Sequence, residues 1–125
     1  MELHASGEDY LEAVLMLQKQ KGAVRSVDLA RHLGFSRASV SHAVNLLRSG
    51  GFLTVEGGGL LGLTQAGREI AENIYERHQF FTRHLMSAGI DPETAEQEAC
   101  LMEHVVSEKS FRRLKLHFEE QPPNR

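Results

Sequence analysis

SVDLARHLGFSRASVSHAVNLLRSGGFLTVEGGGLLGLT, residues 26–64, decides the fold. Ser26 stands before a short apolar-periodic run, Val27, Leu29, Ala30 and Leu33, and reads as the cap of a helix. Gly34-Phe35 makes a turn. Ser36 caps the next helix, which turns Val40, Ala43, Val44, Leu46 and Leu47 inward, and Gly50-Gly51 ends it. Two helices joined by so short a turn form a helix-turn-helix. Phe52–Glu56 and Leu60–Leu63 follow as two strands around Gly57-Gly58-Gly59, and a hairpin in that place is a wing.

The same skeleton serves as a helical hairpin for protein contact, and charge separates the two uses. The net charge is −3, which argues against a nucleic-acid partner until its distribution is read. Residues 1–17 hold Glu2, Glu8, Asp9 and Glu12 and no Lys or Arg. Residues 18–50 hold Lys19, Lys21, Arg25, Arg31, Arg37 and Arg48 against Asp28 alone. The basic segment is the one expected to face DNA. The second helix of such a motif enters the major groove by its N-terminal residues, here Ser36, Arg37, Ala38, Ser39 and His42. Arg37 suits guanine edges or phosphate, and the Ala38 methyl suits a thymine methyl. Arg25 and Arg48 are better placed for phosphate, where they set affinity rather than sequence. The wing has no Lys or Arg between Val55 and Leu63, so its own contacts are expected from backbone alone.

Outward from this core, Ser6 reads as the cap of an N-terminal helix with Leu11, Val14, Leu15 and Leu17 as its apolar stripe and Gly22 as its stop. Thr64 caps a long helix to about Ala88, with Ile70, Ile74, Phe81 and Leu85 along one side. Asp91-Pro92 opens a further helix, with Asp at the cap and Pro in the first turn. Ser107 caps a last helix over Glu108–Glu119, and the tail 121–125 is expected to fray. No apolar run approaches the roughly 20 residues of a membrane span, and the acidic start lacks the features of a signal peptide, so a cytoplasmic protein is expected.

Six residues have the chemistry of one metal site: Asp9, Glu12, His78, Cys100, Glu103 and His104. Asp9 and Glu12 lie three apart near a helix start. Cys100, Glu103 and His104 have i, i+3, i+4 spacing, expected to put three donors on one helical face. Each residue also has an ordinary role: the acids suit the positive end of their helix, and a lone cysteine is often a buried hydrophobe. The convergence of thiolate, carboxylate and imidazole carries the metal reading. Carboxylates and imidazole suit Mn²⁺ or Fe²⁺, and thiolate favours Fe²⁺, Co²⁺ or Zn²⁺. The other histidines carry less information: His4 in a loose terminus, His32 near a helix end, and His84 and His117 on faces expected to be solvated or at a subunit contact.

The chain resembles the diphtheria toxin repressor family, which includes iron-dependent repressors and manganese transport regulators. The resemblance runs from Gly7-Glu8-Asp9-Tyr10-Leu11-Glu12 to the final helix. Its motifs are Glu98-Ala99-Cys100-Leu101-Met102-Glu103-His104-Val105-Val106-Ser107, Arg77-His78 and Gly62-Leu63-Thr64-Gln65-Ala66-Gly67. It implies a mainly α fold, with a winged helix-turn-helix DNA-binding domain over 1–64 and a helical metal-binding and dimerisation domain over 65–125. It also implies a homodimer whose two recognition helices meet an inverted repeat of operator DNA about 34 Å apart. The metal acts as corepressor of metal-uptake genes.

Asp9 and Glu12 look like the manganese-regulator pattern. Cys100 stands where iron repressors carry cysteine and manganese regulators usually carry glutamate, and Thr82 and Glu96 replace the Glu and His of the iron branch's ancillary site. The short chain, without the SH3-like domain of many iron repressors, fits the manganese branch. Mn²⁺ is therefore the expected corepressor and Fe²⁺ the alternative, with Zn²⁺ or Co²⁺ binding in vitro. A winged-helix regulator that uses no metal is the rival reading. A metalloenzyme is disfavoured, because the chain has no His-Glu-x-x-His motif and no Gly-rich phosphate loop.

Overall fold

The computed structural model describes residues 5–120, so His4 and the tail 121–125 lie outside the described residues. The elements run α1 (Ala5–Lys21), α2 (Ser26–Leu33), α3 (Arg37–Ser49), β1 (Leu53–Glu56), β2 (Leu60–Leu63), α4 (Gln65–Ser87), α5 (Pro92–Met102) and α6 (Glu108–Glu120). The chain is mainly helical and forms two compact units, divided between Asn73 and Ile74 inside α4. The fold changes character at Thr64, but the compact boundary comes later, because the first turns of α4 pack on the first unit.

Polar caps set most helix starts. Ser36 Oγ accepts from the Ser39 amide at 3.1 Å, Asp91 Oδ2 from Thr94 at 3.0 Å and Ser107 Oγ from Ser110 at 3.0 Å. Thr64 Oγ1 accepts from the Gly67 amide at 3.1 Å and donates to the Gly51 carbonyl at 2.7 Å. Two expected caps shift. α1 begins at Ala5, so Ser6 lies within it. Ser26 is the first helical residue of α2, and Arg25 holds the cap position: its amide donates to Asp28 Oδ2 at 2.8 Å. Asp28 also accepts from Lys21 Nζ at 2.7 Å, and these two donors hold its carboxyl below the ordinary carboxylate range.

In the first unit α1 packs on α2, α3 and β2. Leu11, Val14, Leu29 and Val40 are fully buried, each contributing about 1.5–3 kcal/mol relative to exposure. Burial on α1 is not a single stripe: Tyr10, Glu12 and Ala13 are buried with Leu11, Val14, Leu15 and Leu17. The wing pairs antiparallel, with Leu53 opposite Leu63 and Glu56 opposite Leu60. Gly58 and Gly59 turn it at φ +78°, a conformation that favours glycine. β2 has a second neighbour, since the Leu61 amide donates to the Val24 carbonyl at 2.8 Å. Gly67 is required by contact: a Cβ there would stand 2.1 Å from the Phe52 carbonyl oxygen.

The second unit is built around Phe80, Phe81, Ala99 and Phe111, with Leu85, Met102, Val106, Leu114 and Phe118 against them. Phe80 meets Phe81 and Phe111 edge to face, each with ring centroids 5.3 Å apart. Such pairs add about 0.5–1.5 kcal/mol beyond the area they bury. His84, expected on a solvated face or at a subunit contact, is half-buried. Its ring lies 4.4 Å from that of Phe80 and 4.1 Å from that of Phe118, and burial, with Arg83 beside it, pushes its pKa below the ordinary histidine value.

Candidate metal centre and nucleic-acid interface

Four of the six expected metal donors belong to the second unit. His78 is on α4 and Cys100 on the last turn of α5. Glu103 caps α5 in right-handed helical geometry, its amide donating to the Ala99 carbonyl, and His104 lies in the turn that follows. The three donors expected on one helical face are therefore a helical residue, a cap and a turn residue.

Glu103 is the centre of the cluster. It is 0% exposed. His78 Nδ1 lies 2.8 Å from Glu103 Oε1 and His104 Nε2 lies 3.5 Å from Glu103 Oε2. Donor atoms of His78, Cys100 and Glu103 all lie within 4.8 Å of one another. Donors bound to one first-row ion at about 2.0–2.3 Å are separated by about 3–4.5 Å, so this set closes on an ion with small side-chain shifts. Glu103 Oε2 is buried with no hydrogen-bond partner among the described residues. A buried carboxylate oxygen left in that state is costly, and a cation removes the cost. The residues fit a divalent transition metal by donor type as well: thiol, carboxylate and imidazole. Cys100 is exposed, which excludes its reading as a buried hydrophobe.

Asp9 and Glu12 belong to the first unit, on α1. Glu12 is buried and Asp9 half-buried. Buried acids need donors or a cation.

Sequence reasoning missed Arg77. Its side chain is buried, and its Nη1 donates to the Glu103 carbonyl at 3.2 Å and also to the Val106 carbonyl. Nη2 pairs with Glu108 at 3.1 Å, and the guanidinium lies 5.0 Å from the centre of the Phe111 ring. One side chain thus fixes the backbone of the turn that carries Glu103 and His104. Its position next to His78 was visible, but spacing along α4 gives no sign that it reaches a turn some 26 residues away.

The residues expected to face DNA lie in the first unit, at both ends of α3 and just before α2. Ser36, Arg37, Ala38, Ser39 and His42 are all exposed at the start of α3. The Ser36 and Ser39 hydroxyls bond each other at 3.0 Å, so Ser36 serves as cap before it serves any ligand. Arg48 is exposed and donates to Asn45 Oδ1 at 3.3 Å. Arg25 Nε donates to the Gly58 carbonyl of the wing turn at 2.8 Å. Among the described residues no helix is long and apolar enough to cross a membrane.

The N-terminal DNA-binding domain of iron-dependent repressors matches residues 2–59, and their metal-binding and dimerisation domain matches residues 64–121. The transcriptional regulator MntR of Escherichia coli O157:H7 is 34% identical over 104 residues, 83% of this chain and 67% of that protein. The HTH-type transcriptional regulator MntR of Bacillus subtilis is 33% identical over 109 residues, 87% of this chain and 77% of that protein. The crystal structure of IdeR from T. acidophilum superimposes with a TM-score of 0.77 at 28% identity, covering 95% of this chain and 55% of that one. The chain spans about half the length of the IdeR structure and of the manganese regulator SloR, 55% and 53%.

Proposed function

The chain belongs to the iron-dependent repressor family, and from that premise we propose that it is a metal-dependent transcriptional repressor. A divalent ion, Mn²⁺ first and Fe²⁺ as the alternative, promotes binding of a homodimer to operator DNA of metal-uptake genes in the cytoplasm. The observation that carries the reading is the buried Glu103 carboxylate, whose Oε1 lies 2.8 Å from His78 Nδ1 and whose Oε2, without a hydrogen bond among the described residues, lies 3.5 Å from His104 Nε2, with the Cys100 thiol within 4.8 Å of the His78 and Glu103 donors. His78, Cys100, Glu103 and His104 would hold the ion, with Asp9 and Glu12 assigned to it by their acid chemistry and by the family resemblance. The ion supplies positive charge that offsets the carboxylates. The names of the Escherichia and Bacillus relatives support a regulator, and the acids at positions 9 and 12 support manganese.

The chain's own residues divide the DNA work. Arg37, Ser39, Ala38 and His42 meet base edges, while Ser36 sets the helix start and its amides face phosphate. Arg25 and Arg48 bind backbone phosphate. Metal strengthens DNA binding only by favouring the DNA-competent state over others. A coupling of 1–3 kcal/mol gives about 5–150-fold tighter binding.

The test is a duplex selected from a randomised library with Mn²⁺-loaded protein, followed by titration in EDTA, Mn²⁺, anaerobic Fe²⁺ and Zn²⁺. Tight binding is expected only with metal, and the Glu103→Gln protein is expected to bind in Mn²⁺ as weakly as the wild type does in EDTA. Equal wild-type binding in EDTA would sink the corepressor role and leave a metal-independent winged-helix regulator.

A further inference from the structure

The wing is a poor neighbour for a polyanion by its own composition. From Leu53 to Leu63 its only charged side chain is Glu56. Duplex DNA presents one negative charge per about 1.7 Å of axis, so an acidic hairpin beside the recognition helix is repelled. The fold corrects this from outside the hairpin. Arg25, 33 positions from Gly58 in sequence, lies across the wing turn and donates from Nε to the Gly58 carbonyl at 2.8 Å. A methyl group on Gly58 would stand 3.6 Å from Arg25 Nη2, so the guanidinium covers the turn itself.

The backbone under Arg25 is anchored. Its amide is tied to Asp28 Oδ2 at 2.8 Å, its carbonyl accepts the Asp28 amide at 2.9 Å, and the preceding Val24 carbonyl accepts the Leu61 amide of β2 at 2.8 Å. The start of α2 and the strand β2 therefore form a stalk that delivers a cation to an otherwise acidic hairpin. Arg25 is exposed, and among the described residues only its Nε is engaged. Both Nη groups keep their donors, in the planar fork that matches phosphate. Lys21, the nearest basic residue before it in sequence, is committed to Asp28.

We propose that Arg25 is the DNA-contacting cation of the wing: the Gly58 carbonyl positions its guanidinium, and its Nη donors bind one backbone phosphate per protomer. This rests on the DNA-binding reading above. It differs from a simple phosphate contact of the helix-turn-helix in where it acts, since the contact falls opposite the wing. A phosphate contact of this kind gives affinity and orientation and carries no sequence preference.

The experiment uses the metal-loaded full chain and the duplex recovered by selection. The dependence of log K on log salt is measured for wild type, Arg25→Ala and Arg25→Gln, with phosphate-ethylation interference on the same complexes. The slope is expected to become shallower by about 0.9 for each phosphate no longer neutralised, about 1.8 for a dimer, in both variants. Glutamine retains a donor for Gly58 but no charge, so it separates charge from bracing. Interference is expected to vanish only at the phosphates opposite the wing, with those at α3 retained, while thermal melts show both variants folded. An unchanged slope in both variants overturns the proposal, whether or not affinity falls. Loss of the α3 phosphates together with those of the wing overturns it too, because Arg25 would then be a general brace. A wild type that binds no duplex with metal would instead sink the DNA-binding reading itself.

Discussion

Around Arg37 the functional side chains stand in solvent at the start of α3, each with few partners. Around Glu103, itself fully buried, the half-buried His78 and His104 face the two carboxylate oxygens, Cys100 is exposed, and Arg77 holds the turn from behind. The contrast fits what each region is proposed to bind. DNA is a large, wet surface, so the residues that read it must be exposed and the protein beneath them must be rigid. A metal ion is small and is held by donors that the protein has already partly dried and aimed. Exposed sites are expected to lose function without losing fold, and buried ones to lose both.

The largest expected effect is Arg77→Met. It removes the donors to the Glu103 and Val106 carbonyls, at about 1–3 kcal/mol for each carbonyl left buried and unsatisfied. Since the turn carries two proposed ligands, Mn²⁺ affinity should fall by about 10–100-fold, the usual range for outer-shell partners. Urea unfolding and metal titration of the same protein check both effects together, and a variant that kept wild-type metal affinity would break the coupling described here.

Next in size is Arg37→Ala. DNA affinity should fall by about 1–3 kcal/mol, measured on the selected duplex with metal present. Folding stability should stay within about 0.5 kcal/mol, because the side chain is exposed. A large drop in melting temperature would show that α3 depends on Arg37 structurally and would erase the contrast.

The smallest effect concerns Asp28, an acid that braces the exposed region. Lys21 and the Arg25 amide lower its folded pKa below 3.8. A lowered folded value means that the stabilisation is present above the unfolded pKa and is lost as pH falls through the folded one. Asp28→Asn should therefore melt a few degrees lower than wild type at neutral pH, with the difference shrinking below about pH 4. A difference that held constant down to about pH 2 would show that Asp28 acts by shape rather than charge.

Much of this protein was legible before any coordinates. The caps at Ser36, Thr64, Asp91 and Ser107 are local signals, and local hydrogen bonds decide them, whereas the apolar periods held less well: Leu46, expected inward, is 52% exposed. That His78, Cys100 and Glu103 offer donor types suited to a metal could be read from the sequence, and the fold brings their donor atoms within 4.8 Å of one another. Other features required distant groups to meet. The spacing of Cys100, Glu103 and His104 indicated a helical face, yet the helix ends at Met102, because the following turn is held by Arg77 from another helix. The half-buried His84 ring packs against Phe80 and against Phe118 of α6, a contact that spacing along α4 does not indicate. The wing looked devoid of positive charge because its cation is encoded before α2.

The sequence by itself determined the order of elements and the winged helix-turn-helix, since each rests on backbone preferences and side-chain chemistry within a few residues. Only the tertiary structure decided that Glu103 is the buried centre of its cluster, that Arg77 fixes the turn beneath it, and that Arg25 lies over the wing. Burial and long-range hydrogen bonds depend on which segments pack together, and no local pattern encodes the partner.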